Sequence, residues 1–200
     1  MEAKLSDVAL PLSIYETNTI SEIMGRDGTV FRLQAGLSKE HAVQLKKYSL
    51  DETDEALQNN TSDRKRFGEG SYEDWYSNSR VPFSVVDTST NRLAAFIWFG
   101  PKPLGAKSIS HLTDEEQKKI LSTDAENWHT IAYRSYSPYR GVGIIKKAVV
   151  AATEIYLRIF PDAQLWAILD KKNFASLGLS KALGYEGIGE EDGFAVVVRK

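Results

Sequence analysis

The chain has 200 residues, 42% of them hydrophobic, with 25 basic against 27 acidic side chains, three histidines and no cysteine. That is enough for a single domain with a substantial core, and the near balance of charge argues against a broad basic face for nucleic acid. Zero cysteines exclude disulfides, thiolate metal sites and a cysteine nucleophile. No stretch reaches the ~18 apolar residues of a membrane span, and residues 1–12 lack an apolar leader core, so the expectation is one soluble, cytoplasmic domain over residues 1–200 without a membrane partner.

In chain order, residues 29–35 read as a strand through Val30, Phe31 and Leu33. Ser38 then offers an N-cap to a helix carrying Ala42, Val43 and Leu45. Residues 51–79 are polar and charged, with Asn59-Asn60-Thr61-Ser62 as loop and a short aromatic cluster at Tyr72, Trp75 and Tyr76, and this stretch is expected at the surface. Residues 82–87 and 92–99 are β-rich runs joined by Thr88-Ser89-Thr90-Asn91, a hairpin signature. Pro101, Pro103 and Gly105 break the second strand, and Thr113 and Glu116 have capping-box spacing for a polar helix. Residues 101–127 are therefore read as an insertion. Residues 128–136 resume as a strand, and Ile145, Ala148, Val149, Ala152, Ile155 and Ile159 recur at helical spacing until Phe160-Pro161. Residues 163–169 are nearly all apolar, as in a strand covered on both faces. Asn173 caps a second helix that stops at Gly184, and two strands at 185–189 and 194–199 finish the chain. This order predicts an α/β fold in which a central mixed, mostly antiparallel sheet is flanked by helices.

The run Ser137-Pro138-Tyr139-Arg140-Gly141-Val142-Gly143-Ile144-Ile145 lies between a strand and a long amphipathic helix. Gly141 and Gly143 let the chain turn tightly and let a ligand approach the main-chain N–H groups, and a helix N-terminus adds about half a positive charge. Such a turn is a seat for a pyrophosphate. A dinucleotide fingerprint fails because its third glycine would fall on Lys146, and no Gly-x-x-x-x-Gly-Lys-Ser/Thr run exists.

Arg140-Gly141-Val142-Gly143-Ile144-Ile145 resembles the Arg/Gln-x-x-Gly-x-Gly/Ala signature of the GCN5-related N-acetyltransferase (GNAT) family. Asn173-Phe174-Ala175-Ser176, followed by Leu179, Leu183, Gly184 and Tyr185, resembles that family's Asn-x-x-Ser/Ala helix ending in Leu-Gly-Phe/Tyr. The resemblance covers residues 128–200 and extends upstream only as topology. It implies transfer of an acetyl group from acetyl-CoA to a small-molecule or peptide amine, with no metal and no covalent enzyme intermediate. The pyrophosphate would meet amides from Arg140 through Val142, Gly143, Ile144 and Ile145, with Lys146 and Lys147 near the outer phosphates. The pantetheine arm would pair along Tyr133, Ser135, Tyr136 and Ser137, and Asn173, Ser176 and Ser180 would face the pantetheine or sulfur region. For Asn173, helix capping is an equal reading.

An amine near pKa ~10.4 must lose a proton before it attacks. Glu126, His129 and Tyr133 are the base candidates, and the Ser135 amide is the candidate oxyanion donor. Two positions depart from the pattern. Ile145 replaces the last Gly/Ala, its side chain expected in the core. Ser180 stands where the family has a tyrosine acid, which leaves water or Tyr185 to protonate the thiolate, or leaves catalysis weak. Tyr72, Glu73, Asp74, Trp75 and Tyr76 form either an acidic-aromatic patch for a cationic amine or an amphipathic helix with core aromatics. The insertion at 101–127 is a candidate acceptor cover or homodimer contact.

Overall fold

The structure, a computed structural model, describes residues 9–104, 113, 115 and 127–199. Its elements are β1 (Thr17–Met24), β2 (Val30–Gly36), α1 (Lys39–Leu50), α2 (Glu55–Asn60), a π-helical turn (Arg64–Glu69), α3 (Tyr72–Ser77), β3 (Val81–Asp87), β4 (Arg92–Pro101), β5 (Trp128–Ser135), α4 (Ile144–Ile159), β6 (Gln164–Asp170), α5 (Phe174–Ala182), β7 (Tyr185–Glu191) and β8 (Phe194–Arg199). Strand order through the sheet is β1-β2-β3-β4-β5-β6-β8-β7. The pairs β1–β2, β2–β3, β6–β8 and β7–β8 are antiparallel, and β5–β6 is parallel. This is the mixed, mostly antiparallel sheet flanked by helices that the sequence predicts. By contacts the chain forms two compact units, residues 1–98 with 133–159 and residues 99–132 with 160–200, so β4 and β5 each contribute to both.

In the first unit β3 is buried along its whole length and β4 at every position but its two ends. Such strands are apolar on both faces because both faces are covered. α4 covers part of this sheet through Ile144, Ala148, Val149, Ala152, Ile155 and Tyr156, the face set by its 3.6-residue period. Residues 51–79 are largely exposed, as the sequence predicts, but they carry three short helical pieces whose Phe67, Tyr72 and Trp75 are buried. The Phe67 ring stands 5.1 Å from Trp75, 5.9 Å from Phe96 and 5.8 Å from Trp98, giving an aromatic core with edge-on geometry. Polar composition hides this because the buried rings are few and widely spaced. Glu73 and Asp74 occupy the exposed first turn of α3, so Tyr72–Ser77 is the amphipathic helix with core aromatics and not an acidic-aromatic patch. β1 was not legible beforehand, since Thr17-Asn18-Thr19 opens it on polar residues and a register shift interrupts its pairing between Thr19 and Ser21.

In the second unit Trp166, Val196 and Val198 form a core with Leu104, Trp128 and Ile168 against it. The Trp166 indole donates to the Lys102 carbonyl at 3.0 Å. Lys102 N–H donates to the Trp128 carbonyl at 3.0 Å, so the segment between them leaves and returns at paired backbone positions. Thr113 is described and exposed, whereas its capping partner Glu116, the base candidate Glu126 and most of the 101–127 insertion lie outside the described residues. The parallel pairing of β5 with β6 runs over Trp128, His129 and Thr130, although β5 continues to Ser135.

His41 is a buried polar group with both ring nitrogens hydrogen-bonded. Its Nε2–H donates to the Asn91 carbonyl at 3.2 Å and its Nδ1 accepts from the Ser38 hydroxyl at 2.8 Å. Burial is the main cause that lowers its pKa from 6.5, opposed in part by the Asn91 carbonyl and Glu40. The unfolded imidazole therefore takes up a proton before the folded one does, and stability present above pH 6.5 is lost as pH falls below it. Thermal unfolding between pH 7.5 and 5.5 should show Tm falling with pH, and His41→Gln should reduce that slope while lowering stability at neutral pH; an unchanged slope would contradict the assignment.

Candidate functional site

The turn between β5 and α4 is fixed at its entrance by the first unit's sheet. Tyr136 N–H donates to the Ala94 carbonyl at 2.9 Å, and Tyr139 N–H closes a turn onto the Tyr136 carbonyl at 2.8 Å. The Tyr136 amide is thus used by the fold, and among residues 133–137 it is not a donor for pantetheine. The Tyr139 ring packs edge-on against Phe31 at 5.5 Å, and its hydroxyl donates to Asp87 Oδ2 at 2.9 Å. Asp87 also accepts from the Ser89 N–H and hydroxyl and from the Thr90 hydroxyl. Burial would raise its pKa, but these four donors outweigh burial and hold it at about 2.

Arg140 turns its side chain back into the protein. Its Nε donates to the Ser135 carbonyl at 2.8 Å, and its Nη1 and Nη2 grip both oxygens of Asp54 at 2.7 and 2.6 Å. This is a two-bond fork, the geometry a planar guanidinium matches best. Asp54 in turn accepts from Leu57 N–H at the start of α2. Burial works against its charged form, but Arg140 and that N–H prevail and its pKa is lowered. The side chain of Arg140 is therefore a structural clamp on the turn.

Gly141 and Gly143 have φ of +82° and +83°, the left-handed region that favours glycine. A β-carbon at Gly141 would meet nothing within 4 Å, so that side of the turn is open. A β-carbon at Gly143 would lie 3.0 Å from the Arg26 side chain. Arg26, in the turn between β1 and β2, also donates its N–H to the Val142 carbonyl at 2.8 Å. Among the described residues no carbonyl takes the N–H of Arg140, Gly141, Val142 or Gly143, and the first N–H groups of α4 have no partner within the helix. The turn thus offers a run of outward donors beside a cation. Arg26 was missed by sequence reasoning because it is remote in the chain and belongs to no motif. Of the lysine pair, Lys147 Nζ donates to the Met24 carbonyl at 2.9 Å, whereas Lys146 is exposed. Ile144 is the buried residue at the helix start; Ile145 is half-buried and does not point fully into the core.

The remaining expected residues fall in both units. Tyr133 and Ser135 are half-buried on β5 in the first unit; the Tyr133 carbonyl accepts from Arg134, and the Ser135 hydroxyl reaches toward the Tyr139 carbonyl at 3.5 Å. Ser137 is exposed in the turn. His129, in the second unit, is half-buried with its ring 6.1 Å from Phe160, and burial lowers its pKa from 6.5. Asn173 caps α5 by accepting from Ser176 N–H at 3.1 Å, the capping reading of that residue. Ser180 is buried and its hydroxyl donates to the Leu177 carbonyl at 2.9 Å, which engages the proton it would need as an acid or donor. Tyr185 is buried at the start of β7.

No family model matches the sequence, and no curated protein matches it. Solved structures do match its fold. The GNAT domain of S. lividans PAT has a TM-score of 0.61 at 14% identity, covering 89% of this chain and 94% of that one. Mycobacterium smegmatis RimJ in complex with CoA-disulfide has 0.61 at 14%, covering 90% and 86%. A spermidine N-acetyltransferase SpeG chimera from Vibrio cholerae and hSSAT has 0.56 at 11%, covering 84% and 94%. The chain has the fold of the GNAT acetyltransferases, in agreement with the two sequence motifs.

The Asp87 network ties Tyr139, and with it the turn, to the β3–β4 hairpin. Because its folded pKa lies at about 2 against 3.8, its contribution is full above pH 3.8 and is lost as pH falls toward 2. Asp87→Asn should cost about 2 kcal/mol at neutral pH, from roughly 1.4 kcal/mol per pKa unit, and should flatten the acid limb of the stability curve; denaturant unfolding at several pH values measures both.

Proposed function

We propose that the protein is an N-acetyltransferase that uses acetyl-CoA as donor and a primary amine, on a small molecule or a peptide, as acceptor. The observation that carries this reading is the run of main-chain N–H groups from Arg140 to Gly143 that no carbonyl claims, placed at the start of a helix with Arg26 alongside. Aligned donors at a helix N-terminus and a nearby cation suit a diphosphate, and the GNAT fold makes that of coenzyme A the natural occupant. Arg140 contributes through its amide while its side chain braces the turn on Asp54.

In the reaction the amine nitrogen bonds to the acetyl carbon, the carbon–sulfur bond breaks, and coenzyme A leaves as the thiol after taking up a proton equivalent to the one the amine loses. His129 is the base candidate with physical support, since burial keeps it neutral at physiological pH. Loss of activity should then set in only below pH 6.5 and change in His129→Gln. A second reading, a weakly catalytic acyl-CoA-binding module of the same fold, draws support from the engaged hydroxyl of Ser180. A cytoplasmic, metal-free enzyme, with a homodimer as its candidate assembly, completes the reading.

The test is calorimetric binding of acetyl-CoA together with thiol release across polyamines, amino sugars, amino acids and peptide N-termini. Gly143→Glu should abolish binding by placing a carboxylate among the donors. Arg26→Glu changes an exposed side chain and should weaken binding at least tenfold with an unchanged Tm. Unaltered affinity in both variants would remove the proposed seat, and binding without thiol release would select the second reading.

A further inference from the structure

Asp63 is fully buried, and it is shared by two arginines. Arg66 Nη1 donates to its Oδ1 at 2.7 Å, and Arg134 donates through Nε to Oδ2 at 2.8 Å and through Nη2 to Oδ1 at 3.3 Å. Both guanidinium groups lie over the Trp98 ring, at 5.5 Å for Arg66 and 5.0 Å for Arg134. Their side chains are 31% and 18% exposed, whereas Asp63 is at 0%. A clamp between the π-helical turn and β5 needs one guanidinium for this carboxylate; a second leaves a net positive charge held between aromatic rings, where water screens it poorly. Arg134 has its N–H groups distributed between Asp63 and the Tyr133 carbonyl. Arg66, in contrast, donates among the described residues only through Nη1, which leaves most of its five N–H groups for an outside acceptor.

A second observation points the same way. The Tyr136 hydroxyl is buried and has no hydrogen-bond partner. Burial, with the charge of Asp63 nearby, keeps this hydroxyl protonated, so it is a donor. A buried hydroxyl without a partner is costly, so this donor is available to an acceptor atom. The residue between Arg134 and Tyr136 is Ser135, the strand position whose amide is the candidate oxyanion donor. Burial chiefly, and Arg134 in addition, lower the pKa of Arg66 against the pull of Asp63.

We propose that Arg66 and Arg134, organised by Asp63 over Trp98, form an oxyanion-binding subsite for the acceptor, so that the preferred substrate is a primary amine carrying a carboxylate or a phosphate. The proposal rests on the acetyl-transfer reading and sets the acceptor class opposite to the cationic amine that an acidic-aromatic patch would select. Guanidinium groups in fixed planes bind either oxyanion through paired hydrogen bonds and reject a neutral isostere by leaving those donors unmet.

The experiment compares β-alanine, β-alaninamide, phosphoethanolamine and ethanolamine as acceptors in acetyl-CoA thiol release. Each anionic amine should exceed its neutral counterpart at least tenfold in kcat/KM, and the stronger of the two anions identifies carboxylate or phosphate. In Arg66→Gln the preference should shrink to within twofold while acetyl-CoA affinity stays the same; Arg66→Lys should fall between. Equal rates for anionic and neutral amines, or a preference that survives Arg66→Gln, overturns the subsite. Quenching or enhancement of tryptophan fluorescence by N-acetyl-β-alanine and by inorganic phosphate separates this from the acetyl-transfer reading. Saturable binding lost in Arg66→Gln but without turnover of any amine upholds the subsite and rejects that reading, whereas absence of binding together with absent anionic preference rejects the subsite alone. Tm of both variants confirms folding.

Discussion

Backbone donors that the fold does not use are the constraint on which this molecule turns. A strand-to-helix connection must leave several N–H groups unpaired, because a helix cannot satisfy its own first turn. Here the connection does nothing to hide them. Two glycines with positive φ bend the chain so that the donors stay outside, and every strong side-chain interaction nearby works to hold that shape. Arg140 locks onto Asp54, Tyr139 onto Asp87, and the Arg26 amide onto the Val142 carbonyl. Three separate parts of the first unit therefore pre-organise one short loop, and a ligand that accepts its hydrogen bonds need not pay much to order it.

The charges of the first unit follow the same logic. Asp87 is buried and Asp54 half-buried, and both carboxylates are answered by several donors, so they act as anchors. Asp63 is answered twice over, which converts an anchor into a locally cationic surface. Arg26 against Gly143 and the Arg66–Arg134 pair thus give the unit two cationic positions, both linked to the chain around β5: one at the loop that leaves it and one on the strand itself. An enzyme that joins an anionic donor to an anionic acceptor would need both.

Much of this was legible from residue types that have few alternative uses. Gly141 and Gly143 between a strand and an amphipathic helix predicted the turn, because positive φ excludes most side chains. Asn173 three residues before Ser176 predicted a cap, and the structure shows that bond. What could not be read were interactions between distant parts of the chain. The sequence pointed to the Arg140 amide as a phosphate donor and was silent on its side chain, and only Asp54, 86 residues away, shows that the guanidinium is engaged internally. Arg26 and Asp63 lay in segments without periodicity, and the burial of Phe67, Tyr72 and Trp75 within the largely exposed residues 51–79 was hidden because these rings are too sparse to give a pattern. β1 escaped for a related reason, since its register shift breaks the alternation that marks a strand.

Hydrogen exchange of individual main-chain amides, followed by NMR with and without coenzyme A, addresses the diphosphate seat most directly. Slowed exchange at Arg140, Gly141, Val142 and Gly143, extending into the first residues of α4, is the expected result. Binding of coenzyme A with exchange at those amides unchanged would contradict it.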